Sequence, residues 1–81
     1  MKEIKLSRPI KINGVETDVL KIVKEELLVE DMLRISKATS DPMEQDVHML
    51  AYITETSPED LKKLNFKDYR KAQAILKDFL E

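Results

Sequence analysis

The residues of this chain that could do chemistry are few. His48 is the only histidine and there is no cysteine. A zinc site needs three or four nitrogen, sulfur or oxygen ligands in defined geometry. His48 with Glu44 and Asp46 beside it supplies no such set, so no metal is expected and His48 reads as an exposed helical side chain. Adjacent carboxylates occur at Glu25-Glu26, Glu30-Asp31 and Glu59-Asp60. General acid–base catalysis needs carboxyls that converge on a cleft with separated pKa values. Neighbours on a helix instead diverge by about 100°. Glu59 and Asp60 fit a first helical turn, where negative charge meets the positive end of the helix dipole. No serine sits in a nucleophile elbow, and a single glycine cannot build a phosphate-cradling loop. Neither catalysis nor a cofactor is expected.

The elements around these residues can be read from periodicity. Ile4, Leu6, Ile10 and Ile12 alternate along residues 2–12, which places them on one face of a strand. Pro9 cannot donate a ladder hydrogen bond and marks an edge or a bulge. Asn13-Gly14 is a hairpin signal. A two-residue loop would pair even positions with odd ones and set Leu6 against Lys21. A three-residue loop, Ile12-Asn13-Gly14, would pair Ile4 with Ile22, Leu6 with Leu20 and Arg8 with Asp18. The better apolar match favours the three-residue loop, with Ile4, Leu6, Leu20 and Ile22 on one buried face.

After Lys24 the period changes to that of a helix. Leu28, Met32 and Ile35 stand at i, i+4 and i+7, with Val29 and Leu33 beside them, so a helix is expected over about 28–38. Asp41 is a suitable N-cap, Pro42 suits the first helical position, and Glu44 stands where a capping box would use it. That helix should run over about 42–55. Ser57-Pro58-Glu59-Asp60 repeats the start signal for a short helix over about 58–64. Asn65 can cap a last helix over about 66–80, whose Tyr69, Ala72, Leu76, Phe79 and Leu80 form one stripe. The expected fold is α+β: an N-terminal antiparallel β-hairpin over about 2–24, packed against a C-terminal bundle of three to four short α-helices, all in one domain, 1–81.

Composition narrows the function. The net charge is −2, with 37% charged and 42% hydrophobic residues. That is enough apolar content for a folded core, and it lacks the basic surplus of a nucleic-acid binder. Lys62, Lys63, Lys67, Arg70, Lys71 and Lys77 tint the last third basic, but Glu59, Asp60, Asp68, Asp78 and Glu81 are interspersed, so a solvated helix surface is the better reading. No apolar run approaches the roughly 18 residues of a membrane span, and the start "MKEIKLSRPI" has no signal-peptide core. A soluble, intracellular protein is expected.

One helix carries more apolar surface than a core stripe needs. Met43, Val47, Leu50 and Ala51 make an ordinary stripe over 42–55, and Met49, Tyr52 and Ile53 extend it around the far side. Either this helix is central, or part of it meets a partner. On the second alternative Met49, Tyr52 and Ile53, joined by Ile75, are the candidate partner-binding residues, partly exposed in the free chain. Self-association into a homodimer would use the same patch.

The chain also resembles the small tail assembly chaperones of Mu-like and P2-like contractile-tailed bacteriophages. "IKLSRPIKINGVETDVLKI" looks like the opening hairpin of that family, and "LVEDMLRISKA" stands in the place of its first helix. "MLAYITETSPEDLKKLNFKDYRKAQAILKDFL" resembles the family run of Leu-x-x-x-Thr, Pro-Glu-(Asp/Glu)-Leu, Leu, Asp-Tyr and Phe-Leu. The family pattern has a Thr or Ser cap at position 28 and a small residue at 30, where this chain has Leu28 and Glu30. The resemblance implies a non-enzymatic protein of the bacterial host cytoplasm. It would bind the tape measure protein, keep that helical chain soluble until tail tube subunits polymerise around it, and be absent from the mature virion. A longer frameshifted product commonly accompanies the short one. The alternatives are a structural subunit retained in a phage particle and a small interaction or regulatory module.

Overall fold

Asn13 and Gly14 organise the first third of the molecule. In the computed structural model, which describes residues 2–81, they join two antiparallel strands, β1 (Glu3–Ile12) and β2 (Val15–Lys21). Both are left-handed, Asn13 at φ 53° and Gly14 at φ 79°. This is the pattern of a type I′ turn, whose twist matches that of the flanking strands. Ile12 pairs with Val15, Lys11 with Glu16 and Ile10 with Thr17. The loop therefore has two residues, not the expected three, and the pairs Ile4–Ile22, Leu6–Leu20 and Arg8–Asp18 do not form.

The register then shifts between Lys5 and Ile10, so that the segment from Leu6 to Pro9 stands against Asp18 alone. This is an enlarged bulge, placed where Pro9 has no N–H to lose from the ladder. Beyond it Ile4 pairs with Leu20, and the Ile22 N–H donates to the Lys2 carbonyl at 2.9 Å. The bulge restores even-with-even pairing that the short loop had broken. Ile4, Ile10, Leu20 and Ile22 are buried as a result, and Leu6 is half-buried.

Four helices follow: α1 (Val29–Ala38), α2 (Pro42–Thr54), α3 (Pro58–Leu61) and α4 (Phe66–Leu80). Each of the last three has a side-chain cap. Asp41 Oδ1 accepts from the Met43 N–H (2.9 Å), Ser57 Oγ from the Asp60 N–H (3.2 Å) and Asn65 Oδ1 from the Asp68 N–H (2.8 Å). Leu28, at the cap of α1, has no acceptor to offer, and Asp31 compensates by accepting from the Leu28 N–H at 3.0 Å. Glu44 does not close a capping box with Asp41. The Asp41 N–H goes to Thr39 Oγ1, and Glu44 accepts from that same hydroxyl.

The C-terminus of α2 ties the two halves together. Glu55 is left-handed (φ 53°), and the Thr56 N–H reaches back to the Ala51 carbonyl at 2.9 Å. The Ile53 carbonyl accepts from Val23 and Lys24 as the chain leaves the hairpin (2.8 and 3.3 Å). α2 packs against α1, α3 and α4, while β1 lies on α4 and α3. Its central place explains why apolar residues surround it: Leu50, Ala51 and Ile53 join Leu61, Ala72, Leu76, Ile4 and Leu20 in one core. Met43 at the start of α2 and Leu80 at the end of α4, both expected in core stripes, fall outside that core (50% and 52% exposed).

Candidate functional site

The four candidate partner-binding residues do not form one surface. Met49 and Ile53 are core residues (6% and 0% exposed), so their expected partial exposure is corrected: α2 is wrapped by its neighbours on the side where they lie. Tyr52 is half-buried, its ring covered by Lys24 and Arg34 at 5.1 and 5.5 Å from the centroid. Ile75 is half-buried in a separate concavity against Glu3, Ile4 and Lys5 of β1. His48 is also half-buried rather than exposed, and lines the depression beneath Tyr52 and Arg34.

Exposed apolar surface lies elsewhere, first of all on α1. Val29 is 76% exposed, Leu33 56%, Leu28 48% and Met32 36%. Ile35 and Asp31 are the residues of this helix that are buried. The reason is angular. Val29 and Leu33 lie about 120–160° around the helix from Ile35, so a contact centred on Ile35 leaves them outside. That breadth is the signal in the sequence that could have pointed to α1. The Leu28 N–H holds the Asp31 carboxyl below the usual carboxylate range against the effect of its burial, and the Arg34 guanidinium adds to this (3.1 Å). Asp31 thus fixes both the start of α1 and the arginine that covers Tyr52.

The second exposed surface is a cleft of about 210 Å³ between α2, α3 and α4. Met43 and Phe66 (50% and 63% exposed) stand at its mouth, above Val47, Leu61 and Tyr69. The Phe66 and Tyr69 rings are 6.0 Å apart and tilted. Burial, with the nearby Asp46 charge, pushes the Tyr69 phenol above its ordinary pKa. Lys62 on the rim pairs with Glu59 and Glu44, both at 3.3 Å, and those two carboxylates raise its pKa.

Sequence reasoning placed Asp68 on a solvated surface, and this is corrected too. Asp68 is 0% exposed and accepts hydrogen bonds from the β1 bulge. Among the described residues no group of three or more His, Cys, Asp or Glu is placed to hold a metal ion, and no helix is long and apolar enough to cross a membrane.

The family model of phage tail assembly chaperone proteins, described as E, or 41 or 14, matches residues 3–81. No curated protein and no solved structure matches significantly. The family match spans both strands and all four helices, and the chain therefore belongs to the phage tail assembly chaperone family.

Proposed function

We propose that this chain, acting as a single domain in the cytoplasm of the bacterial host, binds the phage tape measure protein and keeps it in solution until the tail tube polymerises, without entering the mature virion. The observation that carries this reading is the exposed apolar face of α1, where Val29, Met32 and Leu33 on the ten-residue helix and Leu28 at its cap are all exposed. Exposed apolar surface on a small protein marks an interaction site. A client helix can lay its own apolar face along such a surface, and the flexible Met32 adapts to differing side chains. Tyr52 lies beneath Arg34 of this helix, whereas Met49 and Ile53 are buried in the core.

Co-expression with the tape measure protein tests the reading. Val29→Ser with Leu33→Ser should send the tape measure protein to the insoluble fraction while the melting temperature of the chaperone stays within a few degrees of wild type, about what exposed sites allow. A folded double variant that still holds its client in solution would remove α1 from the binding surface.

A further inference from the structure

One edge of β1 is paired with β2, and the alternation of the ladder decides which groups face the other edge. The Ile22 N–H donates to the Lys2 carbonyl and Ile4 is the partner of Leu20, so Lys2 and Ile4 direct their backbone groups at β2. Glu3 and Lys5 direct theirs away. The next groups along the strand agree, because both meet α4: the Lys5 carbonyl accepts from Lys71 Nζ at 3.4 Å, and the Ser7 N–H donates to Asp68 at 2.9 Å.

This outer edge is therefore covered by degrees. At Ser7 the carboxylate of Asp68 touches the strand directly. At Lys5 only the long side chain of Lys71 spans the gap. At Glu3 the gap is open, and Glu3, Ile4, Lys5, Lys71, Ala74 and Ile75 line a concavity of about 510 Å³. The Glu3 N–H, the Glu3 carbonyl and the Lys5 N–H have no hydrogen-bond partner on this side among the described residues. Lys5 is exposed and in no ion pair among the described residues, while Lys71 stands 3.7 Å from Asp68.

The wedge limits what can enter it. In a strand laid parallel to β1, one residue can bond on both sides, its N–H donating to the Glu3 carbonyl and its carbonyl accepting from the Lys5 N–H. The next such residue would need the Lys5 carbonyl and the Ser7 N–H, which Lys71 and Asp68 already hold. An entering chain must end there. Two ammonium groups, Lys5 and Lys71, stand at that closed end, so they attract a terminal carboxylate and repel a terminal amine.

We propose that the wedge between β1 and α4 captures the carboxyl terminus of a partner chain as a short third strand. The terminus enters from the Glu3 side, parallel to β1, and places its carboxylate at Lys71 and Lys5. An apolar side chain at or next to the end covers Ala74 and Ile75. Backbone bonds and the carboxylate supply recognition that tolerates many sequences, and the concavity selects for an apolar end. Glu3 at the entrance disfavours acidic residues just before the terminus. The site uses no residue of α1, which packs on α2, and does not depend on the client reading above.

An equimolar pool of hexapeptides, Gly-Ser-Gly-Ser-Thr followed by Val, Ile, Leu or Phe, tests it by titration into the intact nitrogen-15-labelled chain at millimolar concentration. With free carboxyl termini the pool should shift the amide signals of Glu3, Lys5 and Ala74. The same pool with amidated termini should bind about tenfold more weakly, as expected for the loss of a charge-assisted bond. Lys71→Gln should weaken the free-acid pool by about the same factor and leave the amidated pool unchanged. Ala74→Glu, at an exposed helical position, should abolish binding, with the dispersion of each spectrum showing that the variant is folded. A free-acid pool that leaves Glu3 and Lys5 unmoved overturns the proposal. Equal binding of the two pools would point to an internal segment and overturns it as well. Val29→Ser with Leu33→Ser should bind the peptides as the wild type does; loss of binding there would put them on α1 and overturn the wedge, whatever becomes of the tape measure protein.

Discussion

Ser7 donates both its N–H and its hydroxyl to the carboxylate of Asp68, a residue 61 positions later in the chain (2.9 and 3.0 Å from the N–H to the two oxygens, 3.1 Å from Oγ). The Arg8 N–H adds a longer contact of 3.4 Å, and Asn65, the cap of α4, donates to Ser7 Oγ at 3.3 Å. The bulge that sets the register of the hairpin is therefore held by the first turn of the last helix. Asp68→Ala would leave the Ser7 and Arg8 N–H groups without their acceptor and should cost about 2–3 kcal/mol. Ser7→Ala, which removes one neutral donor, should cost about 1 kcal/mol. Denaturant midpoints of the two variants measure the difference; equal midpoints would mean that Asp68 does not anchor the bulge.

Asp68 also sets an acid limit on stability. Burial pushes its carboxyl upward, but the Ser7 N–H and hydroxyl, the Arg8 N–H and the Lys71 ammonium outweigh that and hold it below its ordinary value of 3.8. A depressed carboxyl means that the unfolded chain takes up a proton before the native one does, so stability falls as pH drops through this range. Its contribution should be complete above the ordinary value and be lost below it. Asp31 and Glu44 are shifted in the same direction and add to the effect. The denaturant midpoint of the wild type should stay level from neutral pH down to about 5, then fall, and Asp68→Asn should show a shallower fall. Parallel acid profiles would assign the loss to other carboxylates.

The turn offers a test of backbone strain alone. A Cβ on Gly14 would meet nothing within 4 Å, yet the residue sits at φ 79°. Gly14→Ala should cost about 1–2 kcal/mol through conformation only, and Gly14→Asn less, since Asn tolerates the left-handed region. Thermal melts decide the matter. An alanine variant as stable as wild type would show the loop relaxing to another turn type.

What could be read from residues depended on how local the cause was. The order of two strands and four helices follows from periodicity and from caps that lie within three residues of what they cap, as with Asn65 and Asp68. Matching apolar residues assumes an unbroken ladder and so predicts the wrong hairpin register, because the break at Leu6 to Pro9 is stabilised by Asp68 from far along the chain. The surplus apolar surface of α2 fitted a central helix and an interface equally well. Only the packing of α1, α3 and α4 around it distinguishes them, placing Met49 and Ile53 inside. On α1, Val29 and Leu33 look like part of one stripe with Ile35, although a ten-residue helix with a single buried apolar anchor cannot cover that whole arc.

That single anchor predicts unequal stability within the molecule. α1 is docked by Ile35 (5% exposed), by the capping carboxylate of Asp31, and by Arg34 over Tyr52. Ile53, at 0% exposed, is surrounded by the core on every side. Truncating a buried isoleucine to alanine removes about 2–5 kcal/mol when the whole fold must answer for it. Ile53→Ala should do so, lowering amide protection in the hairpin, α2 and α4 together. Ile35→Ala should cost less, because its loss is limited to the free energy of detaching α1, which can open locally while the rest stays folded. Hydrogen exchange should then show faster exchange over residues 29–38 and little change in α4. Uniformly faster exchange in the Ile35 variant would make α1 an integral part of the cooperative fold. Its exposed face would then be presented rigidly to a client, with no detachment involved in binding.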